Sequence, residues 1–117
     1  MFKEVQIGER TVPLQANGAT PLWYKQIFHK DIISVLNDAN NVEKLSESAP
    51  ELAYVMAKQA EKADMTKANT EDFMAWMEQF EALDIVMAAN DIMNVYIANK
   101  MVSAESKKKE SGRRSAK

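Results

Sequence analysis

The chain opens on a two-residue alternation and then changes to helical spacing. From Phe2 to Ile7, Val5 and Ile7 are set apart from Glu4 and Gln6, the pattern of a strand with one apolar face. Gly8-Glu9 follows, and glycine in the first position of a two-residue loop suits a type II′ hairpin turn. Thr11, Val12 and Leu14 then return, which places Val5 opposite Val12. Pro13 offers no amide hydrogen, so this strand lies at an edge or ends its pairing there. A lone hairpin is marginal in water, so this one has to lie on helices or pair with another chain.

Asn17-Gly18 breaks the chain, and Thr20-Pro21 predicts a helix start with Thr20 as cap and Pro21 in first position. Tyr24, Phe28, Ile32 and Val35 recur at helical spacing, with Leu36 beside them. His29 points away from that stripe, between Lys25 and Leu36. Asn37 to Glu47 is polar and reads as a loop, with at most a helical turn around Val42 and Leu45. Ser48-Ala49-Pro50-Glu51 reads as a capping box opening a second helix, whose face carries Leu52, Val55, Met56, Gln59, Ala60 and Ala63. A second loop spans Asp64 to Asn69.

Thr70 is expected to cap a short helix with Glu71 and Asp72 in its first turn, where the helix dipole favours acids. Its stripe is Phe73, Trp76, Met77 and Phe80. A last helix starts after Glu81 or Asp84 and runs to about Lys100, with Ile85, Ala89, Ile92, Met93 and Tyr96 inward. The expected fold is mainly α: about four helices in a small bundle with an N-terminal β-hairpin over residues 1–102. Residues 103–117 hold nothing apolar larger than alanine, so a disordered basic tail is expected there.

What the chain lacks narrows the chemistry. There is no glycine between Ala19 and Ser111, no proline after Pro50 and no cysteine, and His29 is the only histidine. Phosphate loops and tight catalytic turns need glycine, while nucleophiles and soft metal ligands come largely from cysteine and histidine. No phosphate-binding glycine motif, nucleophile elbow or zinc spacing occurs. Glu71-Asp72 and the pair Glu78 and Glu81 flank a helix start and polar faces, where capping and solubility account for them. Glu61 and Asp64 lack the further oxygen-rich segment that a calcium site needs. No catalytic residue, cofactor or metal is therefore expected, and the chain reads as a helical interaction protein rather than an enzyme.

At 117 residues the chain suits one domain with a core of its own. The absence of cysteine fits a reducing compartment. No apolar run approaches the roughly 20 residues that span a bilayer, and Met1-Phe2-Lys3-Glu4-Val5 lacks the apolar stretch of a secretion signal. A soluble intracellular protein with no membrane partner is expected. The net charge of −2 conceals a split, because residues 1–102 hold nine Lys/Arg against fifteen Asp/Glu while 103–117 hold six against two. The acidic body repels nucleic-acid phosphates, and only the basic tail could touch them.

Eight methionines add a binding signal, since methionine fills core gaps but also builds adaptable contact surfaces. Met56, Met77 and Met93 fall on apolar faces and are expected in the core. Met74 falls between Glu78 and Glu81, off the Phe73–Phe80 stripe. Met87 shares its side with Asn90, Asp91 and Asn94, and Tyr54 lies with Lys58 and Glu61, opposite Leu52 and Met56. Tyr54, Met74 and Met87 are the candidate partner-binding residues.

Several stretches occur together in one known family. They are Ile7-Gly8-Glu9-Arg10-Thr11-Val12-Pro13-Leu14, Ala19-Thr20-Pro21-Leu22-Trp23-Tyr24-Lys25-Gln26-Ile27-Phe28 and Lys30-Asp31 in the first helix. Glu51-Leu52-Ala53-Tyr54-Val55-Met56-Ala57-Lys58-Gln59-Ala60 and Phe73-Met74-Ala75-Trp76-Met77-Glu78-Gln79-Phe80-Glu81 complete the set. In this order they resemble tail assembly chaperones of siphovirus-type phages, with long non-contractile tails, that infect Gram-positive bacteria. The likeness covers about residues 2–100, and His29 stands where much of that family has glycine.

The resemblance implies a non-enzymatic protein of the host bacterial cytoplasm, absent from the finished virion. Such proteins coat the tape measure protein and keep it soluble. A longer form, made by programmed frameshifting, recruits tail tube subunits. Lys107-Lys108-Lys109 could be encoded by an adenine-rich slippery run. Self-association through the hairpin edge stays open. The alternative from another class is a small phage regulatory protein that contacts nucleic acid through its basic tail.

Overall fold

The computed structural model describes residues 1–32, 34 and 42–97. Strands β1 (Phe2–Ile7) and β2 (Arg10–Gln15) form an antiparallel hairpin in which Val5 pairs with Val12. Gly8 takes φ +63° while Glu9 stays out of the positive region, the signature of a type II′ turn. Glycine is needed there for a second reason, because a Cβ at Gly8 would land on the Asp84 carboxyl. Val5, Ile7, Val12 and Leu14 are buried, and on the outer side Thr11 Oγ1 donates to Gln6 Oε1 at 2.9 Å.

The helices α1 (Thr20–Phe28), α2 (Val42–Ala60), α3 (Thr70–Met77) and α4, spanning residues 82–97, follow, and Ile32 and Ser34 are helical as well. A 3-10 turn at Met65–Lys67 joins α2 to α3 and inserts Met65 into the core. The mainly helical fold with an N-terminal hairpin matches the sequence pattern. The hairpin rests on a helix, with β2 packed along α2, and α1 and α3 pack on α2 as well. Ile85, Ala89, Ile92, Met93 and Tyr96 of α4 are buried as expected and join the same core. Val35, Leu36 and the tail at 103–117 lie outside the described residues.

Four helix boundaries differ from the sequence reading. The first helix does not continue through Ile32; it ends at Phe28 because His29 turns left-handed, at φ 57° and ψ 34°. Its amide donates to the Lys25 carbonyl at 2.8 Å, which satisfies one of the helix's last acceptors. Lys30 and Asp31 therefore follow the helix rather than lie in it. The second helix does not begin at a Ser48 capping box, since α2 starts at Val42 and runs through Pro50.

A proline inside a helix removes one amide donor and costs about 3 kcal/mol. Tertiary contacts on both sides of Pro50 offset that cost. Glu47 and Glu51, four residues apart across the proline, both hold the Lys30 ammonium, at 2.9 and 3.1 Å. Pro50 and Ala49 are themselves buried. Ser48 hydrogen-bonds the Tyr24 hydroxyl instead of capping.

The two threonine caps are displaced by one residue. Thr20 lies inside α1, where its buried hydroxyl accepts from the Asn17 amide at 2.9 Å and donates to Gln59 Oε1 at 2.7 Å. Asn69, not Thr70, caps α3, accepting from the Asp72 amide at 2.7 Å. In both cases a neighbouring asparagine makes the local bond to the backbone.

Helix α2 ends in a Schellman motif, with Lys62 at φ 58° and the Ala63 amide donating to the Lys58 carbonyl at 3.0 Å. His29 and Lys62 thus both occupy the conformation that glycine adopts without steric cost. Both side chains are exposed, so their removal sacrifices little packing. His29→Gly and Lys62→Gly should each stabilise the protein by about 0.5–1 kcal/mol and raise the melting temperature by a few degrees. Calorimetry checks this, and a fall in melting temperature would contradict the cap assignment.

Candidate partner surface

The middle of α2 is enclosed on every side: Leu52, Ala53, Tyr54, Val55, Met56 and Ala57 are all buried. This corrects the expected position of Tyr54. A helical wheel assigns it to the outer face, but α3 covers that face, and Tyr54 is 0% exposed. It cannot touch a partner directly in this conformation.

Tyr54 instead anchors a row of rings. Its centroid lies 5.5 Å from Phe73 and 5.7 Å from Trp76, both near edge-on. Phe28 meets Phe73 at 5.1 Å, and Trp76 meets Phe80 at 4.9 Å. Such tilted pairs add about 0.5–1.5 kcal/mol each beyond the area they bury. The Tyr54 hydroxyl donates to Asp72 Oδ2 at 2.5 Å, and Lys58 lies 3.8 Å from the same oxygen. No residue of α3 is fully buried, so this row and this bond are what fasten it to α2.

Burial lifts the Tyr54 hydroxyl above its ordinary pKa, helped by the Asp72 bond and charge. Tyr24 is raised likewise, by burial first and then by the Glu51 carboxylate, to which its hydroxyl donates at 3.0 Å. Tyr96 is raised by burial. Burial alone would lower Lys30, but its bonds to Glu47 and Glu51 outweigh this and raise it.

The two methionine candidates lie where the sequence put them. Met74 is 60% exposed on α3 and Met87 is 74% exposed on α4. The structure adds two residues that attention to methionine alone missed, Leu83 at 69% and Val86 at 50% exposure. Leu83, Val86 and Met87 fall at i, i+3 and i+4, which makes one apolar stripe on the outer side of α4. The signal was present in the sequence: this triplet lies opposite Ile85 and Ile92, so α4 is apolar on two sides. Met56 and Met93 are core residues, and Met77 is partly buried against the core.

Two surface clefts open among the described residues. One, of about 800 Å³, opens between the hairpin turn and the start of α4, with Glu9, Arg10, Phe80, Glu81 and Asp84 on its walls. The other, of about 220 Å³, lies beside Lys58, Asp64, Lys67 and Asp72. No helix among the described residues is long and apolar enough to cross a membrane. Comparison of the chain with protein-family models, with curated proteins and with solved structures yields no match.

The three tyrosines carry a pH dependence. Each has a raised folded-state pKa, so its contribution is complete below the ordinary value near 10 and is lost as pH climbs through the raised value. The melting temperature should therefore fall steeply above pH 10, with phenolate absorbance appearing together with unfolding. Tyr54→Phe should reduce that slope and cost about 1 kcal/mol at neutral pH through the lost Asp72 bond. Tyrosines that ionise near pH 10 in the intact fold would contradict the burial.

Proposed function

We propose that this chain is a phage tail assembly chaperone that binds the tape measure protein, keeps it soluble and supports tail tube assembly. Its place of action is the cytoplasm of the bacterial host, and it is absent from the mature virion. A frameshifted longer form would bring in the tail tube protein.

The observation that supports this reading is the outward apolar stripe of Leu83, Val86 and Met87 on α4, with Met74 on α3. A tape measure protein presents long apolar helical faces that aggregate when left uncovered. Methionine and leucine on an exposed helix can adapt to such faces, because the methionine side chain is unbranched and polarizable. The stretches that carry the family resemblance also have structural tasks in this fold. Glu51, Tyr54 and Gln59 each bond across to another element, and Gly8 supplies the hairpin turn.

Co-expression with the long helical protein encoded alongside it tests the proposal. The chain should shift that protein from the insoluble to the soluble fraction and co-purify with it. Met74→Lys and Met87→Lys together should abolish both effects while leaving the melting temperature within about 1 °C, since exposed substitutions are close to neutral. Equal solubility of the long protein with and without the chain would rule the proposal out.

A further inference from the structure

The negative charge of the body is concentrated in one part of the chain. Residues 68–99 contain six acids, Glu71, Asp72, Glu78, Glu81, Asp84 and Asp91, and no lysine or arginine. Residues 1–67 hold eight bases against nine acids and are almost balanced. The acidic stretch is the same one that carries α3 and α4 with their exposed Met74, Leu83, Val86 and Met87. Four exposed large apolar side chains and the negative charge therefore share one region, while Met1, Phe2 and Leu22 are exposed outside it.

The arrangement on α4 is regular. Leu83, Val86 and Met87 form the stripe, and at 100° per residue the exposed Asp91 falls along one edge of it, while Asp84, seven residues earlier, is half-buried with its carboxyl against Gly8 of the hairpin turn. On α3, Glu71 and Glu78 stand three before and four after Met74, on its side of the helix. Asp91, Glu71 and Glu78 are exposed.

We infer that the outer face of α4 docks an amphipathic helix whose apolar stripe is edged with lysine or arginine. This rests on the proposed capture of a helical partner and specifies that partner's charge pattern. Two other occupants fit less well. The chain's own residues 103–117 have the right charge but nothing apolar larger than alanine to cover Leu83 and Met87. A second copy docked antiparallel through the same face would set Asp91 of the two copies on the same side of the contact, like charge beside like charge, which is unfavourable.

The test uses the full chain and two synthetic 21-residue helical peptides with the same leucine stripe, one edged with lysine and one with glutamate. Fluorescence anisotropy should give about tenfold tighter binding to the lysine-edged peptide, narrowing as salt rises without vanishing. Met87→Ser should weaken that binding about tenfold, the scale expected for one apolar side chain left unburied. Asp91→Lys, at an exposed position, should reverse the preference toward the glutamate-edged peptide. Equal binding of both peptides, or indifference to Met87→Ser, overturns the inference. So does self-association of the chain that Met87→Ser abolishes, which would assign the face to a second copy. If the peptides fail while the tape measure protein is still kept soluble, the proposed function stands and this inference falls; the opposite pair of results does the reverse.

Discussion

A helix buried on all its sides constrains this fold more than any other feature. The run from Leu52 to Ala57 in α2 is buried throughout, with the hairpin, α1 and α3 packed on α2 and residues of α4 in the same core. Polar atoms near such a helix have to find partners within the protein, since an unpaired buried group costs about 1–3 kcal/mol. Helices α1 and α3 supply them. Tyr24 of α1 meets Glu51, Thr20 meets Gln59, and Asp72 of α3 meets Tyr54. Among the described residues no buried side-chain nitrogen or oxygen is left without a partner. The bonds fix which side each neighbour takes, and the apolar contacts supply most of the stabilisation.

This division of labour explains why the outer faces of α3 and α4 are available for binding. Their inner sides are committed to the core, through Phe73 and Trp76 on α3 and through Ile85, Ile92 and Met93 on α4. Nothing in the packing of α2 requires Leu83, Val86, Met87 or Met74 to be apolar. Met1, Phe2 and Leu22 are exposed as well, and it is the four in the acidic part of the sequence that the proposed contact outside the chain would use. The acids keep such a surface dispersed in water while still admitting a partner of opposite charge.

Much of this was legible in the residues. Two-residue alternation and a Gly8 turn gave the hairpin and its register, because a type II′ loop and a one-sided strand leave few alternatives. The inward side of α4 followed from its 3.6-residue period. What failed has separate causes. Wheel arguments assume that a helix has a wet side, and α2 has none around Tyr54, so a core tyrosine looked like a surface one. Ser48-Ala49-Pro50-Glu51 has every local mark of a helix start, yet it is buried and held by residues distant in sequence, Lys30 bonding Glu47 and Glu51 among them, and the helix runs through. His29 carried no sequence mark of a helix end, since the apolar spacing continues past it to Ile32.

Native-state hydrogen exchange tests the central claim most directly. If α2 is the enclosed element on which the others are assembled, amides from Leu52 to Ala57 should exchange only through global unfolding, with protection equal to the full stability of the protein. Amides of α3, which has no fully buried residue, should open at lower free energy. Exchange at Leu52–Ala57 as fast as in α3 would mean that α2 is not enclosed, and the assignment of the outer faces of α3 and α4 to a partner would lose its basis.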